Sequence, residues 1–386
     1  MSGAFAYWSS LVCASGRNAP RSGPDAGGEG AAGHPVVTTQ EESVPAASRT
    51  SRPVHLIGSV PLASSEAVFR DVGARVGPLV ARVPDGEVDG RPQVPLLVEH
   101  PDLEIVEPDA WTSRHPGALL IPFLGLRPGA DPEQLSFPDL GYATAALDSY
   151  RVFASLRDQG VLPAHVRFQV GIQTPATMML LFVREADRPA IGLAYRSAVQ
   201  AELTRILADV PHDDLAVQWN VVGEIAEIEG LRGPVTGDTS ARVAHTLAEL
   251  ADLVPTAVEV GFHFCYGDID RQHFVQPRDT RVMVTLARRL AATAARRIDW
   301  LHFPVPADRE DPAYFAPLAD LDVGDGTAVH LGVVHDDGLA GASRRIAAAA
   351  RVLPDFGVAT ECGFGRRDPA TIDDLLDLHR EVAALD

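Results

Sequence analysis

The stretch VEVGFHFCYGDIDRQHF, residues 258–274, begins as a near-continuous apolar run and ends in titratable groups, with His263 and Cys265 two apart at the junction. An apolar run without alternation marks a strand covered on both faces, as in a parallel sheet flanked by helices. The same form recurs along the chain. VHLIGSV (54–60), VARVPDGE (80–87), HVRFQVGI (165–172), LAVQWNVV (215–222), IDWLHFPV (298–305), AVHLGVVH (328–335) and FGVATECG (356–363) all read this way. Helical patterns such as TRVMVTLARRLAATAARR, SRRIAAAARVL and PATIDDLLDLHREVAAL separate the later runs. Strands alternating with helices build βαβ units. Eight such strands predict an α/β fold of the (β/α)8 TIM-barrel type, one domain over residues 53–386, with 88–160 an irregular Pro-rich excursion containing one helix.

A chain of 386 residues, 46% hydrophobic, is long enough to bury a core of that size. Residues 1–52 read differently. Their Gly, Ala, Ser, Pro and charged residues bury too little apolar surface to offset ordering, which predicts a disordered N-terminal extension in which Cys13 has no role. No basic segment precedes the apolar start, so an export signal is a poor match. No apolar run is long enough to span a bilayer. The formal charge of -19 argues against nucleic acid or anionic membrane as a partner, since phosphate contacts require clustered Lys and Arg. Three scattered cysteines do not make a disulfide framework, and a reducing, cytoplasmic setting is expected.

A barrel of this type builds its site where the strands run out into the following loops. Reading those ends in order gives Ser59, Glu87, Gln173 and Thr174, Gln218 and Asn220, His263 and Cys265, His302, His335 and Asp336, then Glu361 and Cys362. Core packing alone would not gather so many titratable groups on one rim. His263 and Cys265 alternate in an extended segment, so both side chains reach one face, and Cys362 arrives from the last strand. Imidazole and thiolate suit zinc. A core pair remains the alternative, because cysteine is among the residues most often buried.

These residues carry a family resemblance. HFCYGD (263–268) resembles the H-x-C-Y motif of cobalamin-independent methionine synthase, ECGFGRR (361–367) is similar to its D-C-G-L-K-T-R, and IGSVP (57–61) to its I-G-S-F-P. The resemblance extends to the superfamily that contains uroporphyrinogen decarboxylase and the zinc methyltransferases using coenzyme M. It implies zinc held by His263, Cys265 and Cys362, a thiol substrate bound as thiolate, and a methyl donor that is a small molecule or a methyl-carrier protein. It further implies His335 as proton donor to the departing carrier, with Asp336 orienting it, and Ser59, Glu87, Gln218, Asn220 and Glu224 around the acceptor.

Two departures bear on the substrate. Where the family has a glutamate ligand, this chain reads WLHFPVP with Pro304 near that place, so either zinc keeps three protein ligands or His302 substitutes. Where the family has I-D-E-P, Asn220 and Val221 stand for the acids, with Glu224 a turn further on. A buried ammonium without a carboxylate is costly, so the thiol is expected not to be homocysteine. The donor is expected not to be a polyglutamylated folate, because the family's N-terminal barrel is not in this chain. The expected activity is therefore zinc-dependent methyl or alkyl transfer to a thiol. An epoxide-opening zinc thiol transferase, a metal-free decarboxylase and a ligand-binding barrel without turnover are the alternatives. GDGTAVHLG (324–332) is too loose for a phosphate loop.

Overall fold

The computed structural model describes residues 51–88, 100–106, 123–231, 235, 237–267 and 273–385. Ser51–Leu385 forms one compact unit. The expectation for the N-terminal extension lies outside the described residues, except that Arg52 belongs to the folded body: its backbone N–H donates to the Ala383 carbonyl at 2.8 Å.

The strands are β1 (Arg82–Pro84), β2 (Leu103–Val106), β3 (Phe123–Leu126), β4 (Arg167–Gln173), β5 (Leu215–Val221), β6 (Glu259–Phe264), β7 (Trp300–Pro304), β8 (Ala328–Val334) and β9 (Gly357–Thr360). All but two form a seven-stranded parallel sheet in the order β1-β4-β5-β6-β7-β8-β9. The helices are α1 (Ser65–Val76), α2 (Tyr142–Asp158), α3 (Pro175–Phe182), α4 (Arg188–Asp209), α5 (Gly223–Ile228), α6 (Thr239–Asp252), α7 (Arg281–Thr293), α8 (Pro312–Phe315), α9 (Gly338–Ala349) and α10 (Ile372–Ala383). Their starts are chemically marked. Thr174 caps α3 by accepting from the Thr177 N–H, with Pro175 at the first position, and Asp238 caps α6 through Ala241. The excursion differs from expectation, for besides α2 it holds the antiparallel pair β2–β3. The segments LEIV and FLGL are too short for their patterning to announce a hairpin. Among the described residues no helix is long and apolar enough to cross a membrane.

The stretch 54–60 joins both edges of the sheet without becoming a regular strand. Val54 bridges Val80 on one side and Val358 on the other, and Ser59 bridges Gly86. Its inward carbonyls are claimed by side chains instead of a ladder. Gln169 donates to Leu56 and Ile57, both at 3.0 Å, and Gln218 donates to Ile57 at 2.6 Å.

The inner face of the sheet is unusually polar. Cα register places Gln173, Asn220, His263, His302, His330 and Gly357 in one continuous row from β4 to β9. His263 and His302, opposed in this row, meet with ring centroids 4.8 Å apart. His330 fits only because its row neighbour is glycine: a Cβ on Gly357 would fall 2.2 Å from His330 Nδ1. His330 stacks on His55 with centroids 4.8 Å apart. Burial first, then neighbouring positive charge, holds both rings well below the ordinary histidine range, so both are neutral.

One irregularity shapes the upper rim. Between Leu331 and Val334 the β8–β9 register shifts, with an extra residue on β8. Bulges re-aim the chain beside functional sites. Gly332 lies inside this one, and a Cβ there would come within 2.6 Å of Glu361 Cα, so glycine lets β9 approach and sets the path toward Cys362.

Two outcomes are expected. Above about pH 6.5 the buried histidines are neutral in both folded and unfolded chains; below it the unfolded chain takes up protons that the folded one excludes, and stability falls. Urea titrations from pH 8 to 5 should show this decline, and His330→Leu should lessen the slope by up to about 1.4 kcal/mol per pH unit, the contribution of one proton. An unchanged slope in a folded variant would contradict the neutral assignment. Gly332→Ala should destabilise the chain by roughly 1–3 kcal/mol through a backbone clash that no rotamer relieves, read as a lowered melting temperature.

Candidate metal centre

His263 lies near the end of β6 and Cys265 just beyond it, where the Cys265 N–H still bonds the Val221 carbonyl at 2.9 Å and keeps the segment extended. Both are nearly inaccessible, at 3% and 4% exposure. Cys362 follows β9 on a loop held from two sides. Thr360 Oγ1 donates to the Cys362 carbonyl at 2.6 Å. Ser59 accepts from Phe364 N at its carbonyl and from Gly365 N at its hydroxyl. A Cβ on Gly363 would sit 2.4 Å from Ser59 Oγ, so this glycine allows the loop to close on the first segment.

The three candidate ligands converge. Cys265 Sγ is 3.9 Å from Cys362 Sγ, and Cys362 Sγ is 3.8 Å from His263 Nε2. All three ligand atoms lie within 4.8 Å of one another. Two Zn–S bonds of about 2.3 Å at a tetrahedral angle span roughly 3.8 Å, so the thiols stand at the spacing that zinc requires. In the structure Cys265 Sγ donates a hydrogen bond to Cys362 Sγ. The hydrogen bond with Cys265 comes first and burial second in pushing the Cys362 thiol well above its ordinary range. Two soft sulfurs and an imidazole form a donor set suited to zinc with a position left open.

His302 does not stand beside these ligands as a fourth. Both its ring nitrogens are engaged, Nδ1 with His263 Nδ1 at 2.8 Å and Nε2 with the Thr360 carbonyl at 3.0 Å, so it lies behind His263. His335 sits on the rim just past β8, donating from Nε2 to the Val305 carbonyl at 2.8 Å. Burial lowers its pKa, opposed by the charge of Glu361, whose Oε2 is 3.9 Å away. Asp336, expected to orient His335, instead forms an ion pair with Arg367. The carboxylate facing His335 is Glu361, which also accepts from His273 Nε2 at 3.0 Å. Burial alone would raise the Glu361 pKa; the His273 hydrogen bond and the charges of His273, His335 and Arg367 outweigh it and hold it low. Glu361 and His273 carried no assigned role in the sequence reading. The signal was there in their places, Glu361 next to Cys362 and His273 in the loop after Cys265.

Of the residues expected around the acceptor, two come together on the rim. Glu87 adopts a positive φ of 50, a conformation disfavoured for a side-chain-bearing residue and typical of functional positions. Its carboxylate fills the room left by two glycines: a Cβ on Gly58 would lie 2.9 Å, and one on Gly171 3.2 Å, from Glu87 Oε1. Asn220 Nδ2 borders the same space, 3.5 Å from that Gly171 position. Gln218 lies below, fully buried, accepting from His55 at 3.0 Å and donating to Asn220 Oδ1 at 2.9 Å, so its amide is occupied internally. Glu224 is not at the rim pocket. Its two oxygens accept from Thr174 and Thr177, each at 2.6 Å, and it fastens the start of α3 to α5.

No protein-family model and no curated protein matches this chain. Solved structures do. A putative vitamin-B12 independent methionine synthase from Listeria monocytogenes aligns with a TM-score of 0.44 and 12% identity, over 82% of this chain and 86% of its own. A B12-independent methionine synthase from Shewanella sp. W3-18-1, solved with selenomethionine, aligns with a TM-score of 0.52 and 12% identity, over 82% of this chain and 84% of its own. At that identity the likeness is one of fold, and the chain shares the fold of the Shewanella enzyme.

Proposed function

We propose that this protein is a zinc-dependent transferase that moves a methyl or similar alkyl group to a thiol, in a (β/α)8 barrel closed by the 54–60 segment as eighth strand. The observation that carries the reading is the convergence of His263, Cys265 and Cys362, with their sulfurs 3.9 Å apart at the outlet of a parallel sheet. Zinc bound there would hold a substrate thiol as thiolate, a nucleophile that a free thiol with a pKa near ~8.5 supplies poorly at neutral pH. The chain's own residues do the rest. Glu87 and Asn220 shape the acceptor pocket. His335, faced by Glu361, is placed to hold the proton that the departing methyl carrier takes up.

The acceptor in this reading is a thiol other than homocysteine. Gln218 engages the Asn220 oxygen, which leaves the Asn220 amino group toward the pocket where the resemblance would put an acid. A donor there favours an acceptor group on the substrate over an ammonium.

Purified full-length protein should contain one zinc per chain. Cys265→Ser and Cys362→Ser should each lose it without altering the melting transition, since a catalytic metal with an open position does not hold a core of this size together. Unchanged zinc in both variants would end the reading. With cobalt in place of zinc, a panel of small thiols should include members that change the visible spectrum, with homocysteine among the weakest. If no thiol perturbs the spectrum, thiol activation fails; if homocysteine binds as well as any, the reading of Asn220 is wrong.

A further inference from the structure

We infer that His302 is a positioning residue that fixes which nitrogen of His263 faces the metal position, and that the chain Thr360–His302–His263 couples the two ligand-bearing segments. The inference rests on the metal site proposed above and adds a residue that touches none of the reacting atoms.

Hydrogen-bond bookkeeping gives the assignment. A backbone carbonyl only accepts, so the 3.0 Å contact between His302 Nε2 and the Thr360 carbonyl requires the proton on His302 Nε2. His302 has no solvent exposure, and its two ring nitrogens meet a carbonyl and an imidazole rather than a carboxylate, so a charge on the ring would be buried without compensation; a neutral ring with Nε2–H has a bare Nδ1. That bare nitrogen is 2.8 Å from His263 Nδ1, so His263 must donate from Nδ1. His263 Nε2 is then left with its lone pair, and it is the atom 3.8 Å from Cys362 Sγ. The proton order is thus set from the Thr360 carbonyl outward to the ligand nitrogen. Ligating histidines are commonly oriented by a partner on the other ring nitrogen; here a second histidine takes that part.

The same contacts bind the site together mechanically. Thr360 stands two residues before Cys362 and donates from Oγ1 to its carbonyl at 2.6 Å. His302, with no solvent exposure, therefore links the β6 end that carries His263 and Cys265 to the β9 end that carries Cys362, reaching past β8 to do so. Removing the imidazole leaves a buried donor on His263 without this partner, takes the His302 hydrogen bond from the buried Thr360 carbonyl, and frees His263 to put its proton on Nε2.

Two measurements test this. In full-length metal-free protein labelled with ¹⁵N-histidine, His263, identified by its absence in His263→Gln, should show protonated Nδ1 and bare Nε2, and His302 the reverse. Finding the proton on His263 Nε2 would overturn the inference, and no variant has to fold for that result. In His302→Leu, zinc affinity measured by competition with a chromophoric chelator should fall about 10- to 100-fold, with His263 shifting away from the single Nδ1–H form. His302→Asn, which keeps an acceptor toward His263 Nδ1, should recover part of the affinity. Affinity within twofold of the parent in a His302→Leu protein that melts normally would also overturn it. If the parent binds no zinc while the tautomers are as stated, the metal reading fails and the proton order stands.

Discussion

Polar side chains buried on the inner face of this sheet must find partners among themselves, and that constraint organises this protein from the 54–60 stretch to the Cys362 loop. Gln169 and Gln218 supply the hydrogen bonds that a regular ladder would give to Leu56 and Ile57. Those carbonyls are accordingly free to point inward, and the segment meets both sheet edges through single bridges rather than a registered ladder. Gln218 continues upward to Asn220 and sideways to His55, and His302 joins His263 to Thr360. A buried polar network that is satisfied rigidifies its surroundings, while a broken one costs the desolvation of every orphan. Among the described residues His330 stands outside this network, since neither ring nitrogen has a partner and its place is held by stacking on His55 and the space at Gly357; Gln169 Oε1, Trp219 Nε1 and Trp300 Nε1 also lack partners.

Much of this was legible because strand buried on both faces leaves an unmistakable trace. All seven ladder strands fall within the apolar runs read from the sequence to within a residue or two, and His263, Cys265 and Cys362 meet as alternation along β6 implies. What escaped was whatever depends on register between strands. Nothing in WLHFP or AVHLG taken singly says that His302 and His330 are opposed; only the pairing of β6, β7 and β8 shows that three histidines share a row. Nor could spacing decide between His302 as ligand and His302 as support, since that turns on which nitrogen meets Thr360. Asp336 and Glu224 were misplaced for a simpler reason. Carboxylates next to a site in sequence take the nearest strong partner, and Arg367 and the Thr174 and Thr177 hydroxyls were nearer than the pocket.

The distribution of charge explains why the chemistry is expected on the rim. Deep in the sheet, burial keeps His55, His302 and His330 neutral, so that layer offers hydrogen bonds and no net charge. Higher up, Glu361 faces His273 and His335, Arg367 pairs with Asp336, and the Glu87 carboxylate lies beside Gly58 and Gly171, so the ion-pairing groups gather on the rim. Cys265 and Cys362 stand at the boundary between the two regimes. Two thiols 3.9 Å apart there form a poor hydrogen-bonded pair, and as thiolates they would form a good receptor for a divalent cation. Binding such a cation would release the protons of the thiols that ligate it, so metal affinity at such a site would depend on pH through the sulfurs, while the neutral layer of His55, His302 and His330 beneath supplies hydrogen bonds and packing rather than charge.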